Sequence, residues 1–503
     1  MKPIRLIATS DIHGVVCPWH YADHSLFNFG LARISTMINK IRDENTIVID
    51  NGDALQGSPL SFWHFANQPD EVSAVTKAMA AIGYDYTNIG NHEFDYGAER
   101  IRRHIENIGA TCLCANVLYN GEPFGKRYDI KQIQGKKLAF FGITTQYAET
   151  LLNPEQKRGL TFFDALETAK EVTAEIKEKE DPDYIICIYH GSFENDVHTG
   201  DSLLLDTGEN EGYRIISQIP EIDIMIAGHQ HIRMCTVAYG TYISETRDDG
   251  QDLAVFEITD SGISVNVLEA DAEPDQKILD LIKEDEEQCQ IWLDTPLGHI
   301  ENDLVIKDEK DARLHKSQLV TFMNIVQKDK TGADISATPV FGHSTGLQHE
   351  VTMRNIVTSY TFQNTLAVLR MSGKMLKEYL EKCAEYWDIQ DGEIVISDAF
   401  IHPLRRDFNY DMLDGIEYTI KVSNPIGERI VSLTRNGVPV IDYDSFTVCV
   451  SSYRAAGGGD FDMCREAETV CTCSDSVIDL IAQYIMDHPD IWFEEVNNIQ
   501  VIE

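Results

Sequence analysis

Asp11-Ile-His13, Gly52-Asp53, Gly90-Asn91-His92, His190-Gly191 and Gly228-His229-Gln-His231 share one feature in a chain of 503 residues. Each follows an apolar, β-branched run and delivers Asp, Asn or His, most often beside glycine. Imidazole and oxygen donors together suit divalent cations. Asp11, His13, Asp53, Asn91, His190, His229 and His231 are too many ligands for one tetrahedral ion and fit two ions that share a carboxylate. Taken singly, an Asp after a strand reads as a helix cap or turn residue, and a lone His as a surface residue. Five coincident placements make that explanation implausible. Asp11/His13 and His229/His231 are two apart, so an extended backbone would aim each pair to one side.

These positions need strands to carry them. The first 270 or so residues alternate strand runs (Ile4–Thr9, Thr46–Asp50, Tyr84–Ile89, Leu138–Ile143, Tyr184–Tyr189, Ile222–Ala227) with helical patterns such as Gly30–Arg42 and Phe163–Glu180. That alternation predicts a layered α/β domain over residues 1–272, with its ligands at the carboxyl ends of the strands. Glu273–Asp294 is charged with helical apolar spacing and reads as a linker helix. From 295 to 503 the texture is α+β. Helices are expected over Gln318–Lys328 and Gly373–Tyr386, and strands over Thr365–Met371, Glu417–Val422 and Ser445–Ser451.

Net charge is −40, from 42 basic and 82 acidic residues. This argues against a nucleic-acid polymer as partner, though bound cations can invert the field locally for a small anion. No run of 18 apolar residues is present, so no membrane span is expected. The opening MKPIRLIATSDIHG has too short an apolar run for a signal peptide. As it stands the sequence reads as cytoplasmic, or as periplasmic or extracellular if a leader has been removed. The 11 cysteines are scattered and read as reduced, mostly buried thiols. Oligomeric state is not legible.

In this order, D-x-H, G-D, G-N-H-E, a lone H and G-H-x-H resemble the calcineurin-like metallophosphoesterases. The resemblance is strongest to the 5′-nucleotidase group, which includes the 2′,3′-cyclic-nucleotide 2′-phosphodiesterase/3′-nucleotidases. Val351–Glu381, Asn409–Ile420 and Ser452–Phe461 (SYRAAGGGDF) look like blocks of that group's C-terminal domain. The resemblance implies a four-layer α/β/β/α metallophosphoesterase domain followed by an α+β nucleotide-binding domain. Asp11, His13 and His231 would hold one divalent ion and Asn91, His190 and His229 the other, with Asp53 bridging. The ions could be zinc, manganese, cobalt or iron. His92 and Asp95 match the family's catalytic dyad, with Asp95 orienting His92 at the substrate phosphate. Phe362 and Tyr453 would sandwich a nucleobase, and Asn364, Gly457, Gly458 and Asp460 would line the substrate. Phe408 and Tyr410 are weaker candidates. Chemistry and base recognition would then lie on different domains, with hinge closure assembling the site.

Two departures concern the substrate. The 5′-nucleotidases carry a phosphate-clamping arginine stretch where this chain reads Ala333–Phe341 without one. They also place Asp six residues after the loop aromatic, where this chain has Gly459. Both features favour the cyclic-phosphodiesterase/3′-nucleotidase branch. The alternatives are a 5′-nucleotidase, a broader phosphoester or nucleotide-sugar hydrolase, and a non-catalytic nucleotide sensor. The last metal motif ends in His231 where the group often has Asn or Gln.

Overall fold

Ile4–Thr9, Thr46–Asp50, Tyr184–His190 and Ile224–Ala227 form strands buried at nearly every residue. Runs apolar on both faces suit the centre of a sheet covered on both sides. The computed structural model describes residues 2–152, 155–203, 208–362, 364–402, 405–473, 475–488 and 490–503. It divides into two compact units, Met1–Gln290 and Ile291–Glu503.

The first unit holds two six-stranded sheets. In one, Ile4–Thr9 pairs parallel with Thr46–Asp50, which pairs parallel with Tyr86–Thr87; Thr9 faces Asp50, and Asp50 faces Thr87. In the other, Tyr184–His190 lies between Lys136–Thr144 and Ile224–Ala227, parallel to both, with His190 facing Thr144. These registers bring the carboxyl ends of neighbouring strands level, so their C-terminal loops emerge together.

Leu6, Ala8, Ile47 and Ile49 of the first sheet pack with Phe140, Ile186, Ile188 and Ile226 of the second in one buried cluster. The other face of the second sheet buries Cys187 and Met225 against Ala169, Val172 and Ile176 of the helix Ala165–Lys179. Asp164 starts that helix by accepting the Glu167 N–H at 2.8 Å, the usual role of a carboxylate ahead of a first turn. The helices Leu31–Ile41 and Ala74–Ile82 bury Leu31, Ile34, Ile38, Ala78 and Met79. The α/β/β/α order is the expected one.

Two elements differ from expectation. The strand expected over Tyr84–Ile89 narrows to Tyr86–Thr87. Beyond it, the Asn88 side chain leaves its own ladder and donates to the Ile143 carbonyl of the other sheet at 2.9 Å. The expected single helix over Glu273–Asp294 is two, Gln276–Leu281 and Lys283–Leu293, broken at the buried Ile282. The pair is anchored on the first unit: Ser35 Oγ donates to Asp275 at 2.8 Å, Lys77 pairs with Asp285 at 2.7 Å, and Tyr21 donates to Glu286 at 2.6 Å.

The second unit is built on a five-stranded sheet in the order Asp411–Asp414, Ile335–Pro339, Ser445–Ser451, Leu366–Ser372, Glu468–Thr472. Gln318–Thr331 and Gly373–Ala384 are its longest helices. Its core gathers Tyr379, Tyr386, Trp387, Tyr410 and Tyr418. All eleven cysteines are free, but Cys235 and Cys471 are exposed rather than buried, the first on the outward face of Met234–Ala238 and the second on the edge strand Glu468–Thr472, exposed along its length. No helix among the described residues is long and apolar enough to cross a membrane.

Candidate active site

Asp11, His13, Asp53, His229 and His231 all adopt positive φ, between 50° and 79°. The extended backbone expected to align Asp11 with His13, and His229 with His231, is therefore not what aligns them. Each turns through the left-handed region, which non-glycine residues rarely occupy and which clusters at functional sites. The strain is held by hydrogen bonds between loops. Asp11 N–H donates to the Gly52 carbonyl at 2.9 Å, and His13 N–H to the Asp53 carbonyl at 2.8 Å. His229 N–H meets the Asp11 carboxylate at 3.1 Å, and His92 N–H meets Asp53 Oδ1 at 2.7 Å.

The turns bring the donors together in two groups. Asp11, His13 and His231 form one, Asp53, His190 and His229 the other, and within each group the ligand atoms lie within 4.8 Å of one another. His190 Nε2 lies 3.1 Å from Asp53 Oδ2, 3.2 Å from Asn91 Oδ1 and 3.9 Å from Asp11 Oδ1, so the groups adjoin. All seven sequence-proposed ligands thus converge.

The tautomers test whether these donors suit a cation. His13 Nδ1 is 2.7 Å from the Gln56 carbonyl, so it carries the proton and leaves Nε2 as a lone pair. His231 Nδ1 is 3.2 Å from the Asp248 carboxylate, which turns its Nε2 toward Asp11 and His13. These two Nε2 atoms are 3.1 Å apart, with Asp11 Oδ1 at 3.5 Å from His231. Two imidazole nitrogens and a carboxylate oxygen so close need a positive centre among them, a proton or a metal ion, and the donor set fits a divalent cation. In the second group His190 Nδ1 faces the Asn51 carbonyl at 2.8 Å, and His229 Nε2 faces Glu209 at 2.9 Å. Each group therefore pairs one histidine with a backbone carbonyl and one with a carboxylate, the arrangement that orients metal-binding imidazoles. Glu209 and Asp248 were missed at the sequence level. Asp248 lies in an Asp-Asp-Gly stretch that reads as a plain turn, and Glu209 has no local signal.

Charge follows the same plan. Burial alone would push the Asp53 and Asp11 carboxyls up, but His190 with His92, and His190 with His231, hold them well below the ordinary range. Burial pushes the Asp50 and Glu245 carboxyls up to about 8. The pocket is rich in acids and needs positive charge at its centre.

His92 and Asp95 sit on a short 3₁₀ turn, His92–Tyr96, with His92 Nδ1 2.8 Å from Asp95 Oδ2. Burial works against the imidazolium, but Asp53 and Asp95 outweigh it and raise the His92 pKa to about 9. Nδ1 is held by Asp95, so Nε2 is the proton-bearing end left for a substrate. The ring lies 5.6 Å from that of His13, edge to face.

In the second unit, Tyr453 begins a turn directly after the strand Ser445–Ser451. Phe408 stands edge-on to Tyr453 at 6.0 Å and 80°, and to Phe362 at 6.2 Å and 67°. Phe362, Phe408 and Tyr453 are all half-buried, so none is a plain core residue. Buried Arg454 fastens both loops: it donates to Asp411 at 2.7 Å, to the Phe408 carbonyl at 2.9 Å and to the Gly458 carbonyl, and it lies 3.8 Å over the Phe461 ring.

Gly458 is needed for close approach, since a Cβ there would meet the Tyr453 ring at 2.5 Å. Gly459 has φ +74°, and a Cβ would lie 2.1 Å from Asn409 Oδ1. Gly457 is buried beside Arg465. Asn364 lies near the buried Tyr360 hydroxyl, and Asp460 lies 3.8 Å from Lys382 Nζ. Tyr410 is corrected: it is fully buried, stacked on Tyr386 at 4.7 Å, because the aromatic core closes over it. Beneath Ala333–Phe341 lies an arginine that is fully buried and committed to the fold. Buried Arg313 donates to the Val340 and Phe341 carbonyls and pairs with Asp407 at 3.2 Å.

Comparison with known proteins matches residues 4–233 to the calcineurin-like phosphoesterase family and residues 296–466 to the 5′-nucleotidase C-terminal domain. A provisionally assigned 5′-nucleotidase of Staphylococcus aureus superposes with a TM-score of 0.91 at 30% identity over 100% of both chains. The 2′,3′-cyclic-nucleotide 2′-phosphodiesterase/3′-nucleotidase of Salmonella typhimurium is 26% identical over 90% of this chain and 81% of its own length. The 5′-nucleotidase of Vibrio vulnificus is 25% identical over 91% of this chain and 85% of its own.

Proposed function

The chain belongs to the calcineurin-like phosphoesterases that carry a 5′-nucleotidase C-terminal domain, and from that premise we propose that it is a two-metal nucleotide phosphohydrolase acting as a 2′,3′-cyclic-nucleotide 2′-phosphodiesterase/3′-nucleotidase. The observation that carries the metal reading is the approach of His13 Nε2 to within 3.1 Å of His231 Nε2, with both Nδ1 atoms already engaged. Divalent binding is a property of the family. Asp11, His13 and His231 would hold one ion and Asn91, His190 and His229 the other, with Asp53 shared. When bound, the ions supply Lewis acidity and lower the pKa of water. Zinc, manganese, cobalt and iron all accept this donor set.

The chain's own residues do the rest. His92 would offer Nε2–H to a phosphate oxygen as negative charge builds there, and would protonate the leaving alkoxide where that oxygen falls within its reach. Asp95 accepts from Nδ1 at 2.8 Å and so fixes the ring and its charge. Phe362 and Tyr453 give flat faces for a nucleobase, and Phe408 closes the space between them. By the family resemblance Asn364, Gly457, Gly458 and Asp460 would complete the substrate contacts.

The choice of branch rests on Gly459. A side chain there would collide with Asn409, so the ribose-binding carboxylate of the 5′-nucleotidases has no place in this loop. A nucleotide whose phosphate occupies the 2′ and 3′ oxygens does not present the free diol that such a carboxylate holds. Hydrolysis of 2′,3′-cyclic AMP, 3′-AMP and 5′-AMP by the manganese-loaded protein tests this. Turnover is expected on the first two, and preference for 5′-AMP would return the assignment to a 5′-nucleotidase.

A further inference from the structure

Glu93 receives four backbone N–H groups. Ala54 and Leu55 donate to its Oε1 at 2.6 and 3.1 Å, and Asp53 and Gly90 donate to its Oε2 at 2.7 Å each. The residue is 2% exposed. Asp53, Ala54 and Leu55 are consecutive, so one edge of this segment is gathered onto a single carboxylate. The other edge is held as firmly: the carbonyls of Gly52, Asp53 and Ala54 accept the N–H groups of Asp11, His13 and Gly14 at 2.9, 2.8 and 2.8 Å. Asp53 lies in the middle with φ 52°.

The backbone of Asp53 is thus stretched between the Asp11–Gly14 loop on one side and Glu93 on the other. Its side chain is aimed by the N–H of His92, the residue before Glu93. A carboxylate has lone pairs enough for two donors on each oxygen. A carboxamide would satisfy one pair and point its NH₂ at the other.

We propose that Glu93 is a positioning residue that holds Asp53 in its left-handed turn, and so sets how tightly the chain binds the divalent ions that Asp53 joins. The inference rests on the two-metal reading above. It predicts that metal affinity, rather than folding, is the property lost with Glu93.

The test is calorimetric titration of Mn²⁺ into the chelator-stripped full chain, wild type against Glu93→Gln, with circular dichroism and thermal melting of both metal-free proteins. Glu93→Gln is expected to fold, to bind Mn²⁺ about ten-fold or more weakly, in the range found when groups supporting metal ligands are altered, and to regain kcat as Mn²⁺ is raised. A folded Glu93→Gln chain with wild-type Mn²⁺ affinity overturns the proposal, as does lost turnover that excess Mn²⁺ does not restore. If Glu93→Gln does not fold, Glu93→Asp is read by the same criteria. A chain that folds in neither form assigns Glu93 to folding alone and overturns it too. Wild-type protein that binds none of Mn²⁺, Zn²⁺, Co²⁺ and Fe²⁺ overturns the metal reading itself, whereas unchanged affinity in the variant overturns only the role of Glu93.

Discussion

Asp248→Asn and Glu209→Gln should each loosen one cation and spare the other. Of the four histidines proposed as metal ligands, His13 and His190 face backbone carbonyls, which no substitution removes, and serve as internal controls. His231 and His229 face Asp248 and Glu209, at 3.2 and 2.9 Å. A hydrogen bond to a charged partner contributes about 1.5–3 kcal/mol, and each 1.4 kcal/mol or so is ten-fold in affinity. The full loss would therefore be about ten- to a hundred-fold.

Two features pull Asp248→Asn toward the lower end. The Asp248 side chain is 33% exposed, so water screens its charge. The asparagine carbonyl oxygen can also still accept from Nδ1. An effect of about ten-fold is expected. The assay is a two-step Mn²⁺ titration of the stripped protein. Asp248→Asn should move one step and Glu209→Gln the other. Steps that both stay in place, or that fall together by one factor in each variant, would refute the division of the pocket into two histidine pairs.

Three further outcomes are expected. His92→Ala should lower kcat on 2′,3′-cyclic AMP by about 10²–10⁴ with little change in KM, since proton transfer and charge stabilisation are lost while binding remains; an unchanged kcat would remove His92 from the chemistry. Tyr453→Ala should raise KM for nucleotides by the loss of about 1–3 kcal/mol of stacking, and leave KM for a base-free sugar phosphate unmoved; equal shifts on both would place the ring outside the base site. Buried His104 has its pKa pushed down by burial to about 4, from 6.5, so between those values the unfolded chain binds a proton that the folded chain refuses. Stability from this group is therefore complete above pH 6.5 and falls as pH drops toward 4, by about 2 kcal/mol at pH 5. Urea unfolding of the metal-free His104→Gln chain should show a correspondingly smaller loss between pH 7 and pH 5, and an equal loss would refute the assignment.

The sequence by itself determined which atoms are available. Strand ends are legible because a run such as Ile47-Val-Ile-Asp50 can only be buried, and the residues after it must turn at the sheet edge. Asp53, Asn91, His190 and the pair His229/His231 could therefore be named as neighbours without coordinates. Tyr453 could be picked out because three glycines after it suit a loop rather than a core.

Tertiary structure decided everything that depends on pairing across long separations. His229 N–H meets Asp11 across 218 residues of chain, and that bond supports a left-handed turn where the strand pattern suggested extension. Which nitrogen of each histidine is turned into the pocket is set by Gln56, Asn51, Asp248 and Glu209, none of which carries a local sign of the task. Tyr410 and Phe408 lie two residues apart with similar rings, yet one is sealed under Tyr386 and the other left open beside Tyr453. Composition and spacing fix which residue types a segment delivers. The direction a side chain takes, and the proton it carries, come from neighbours that only the folded chain supplies.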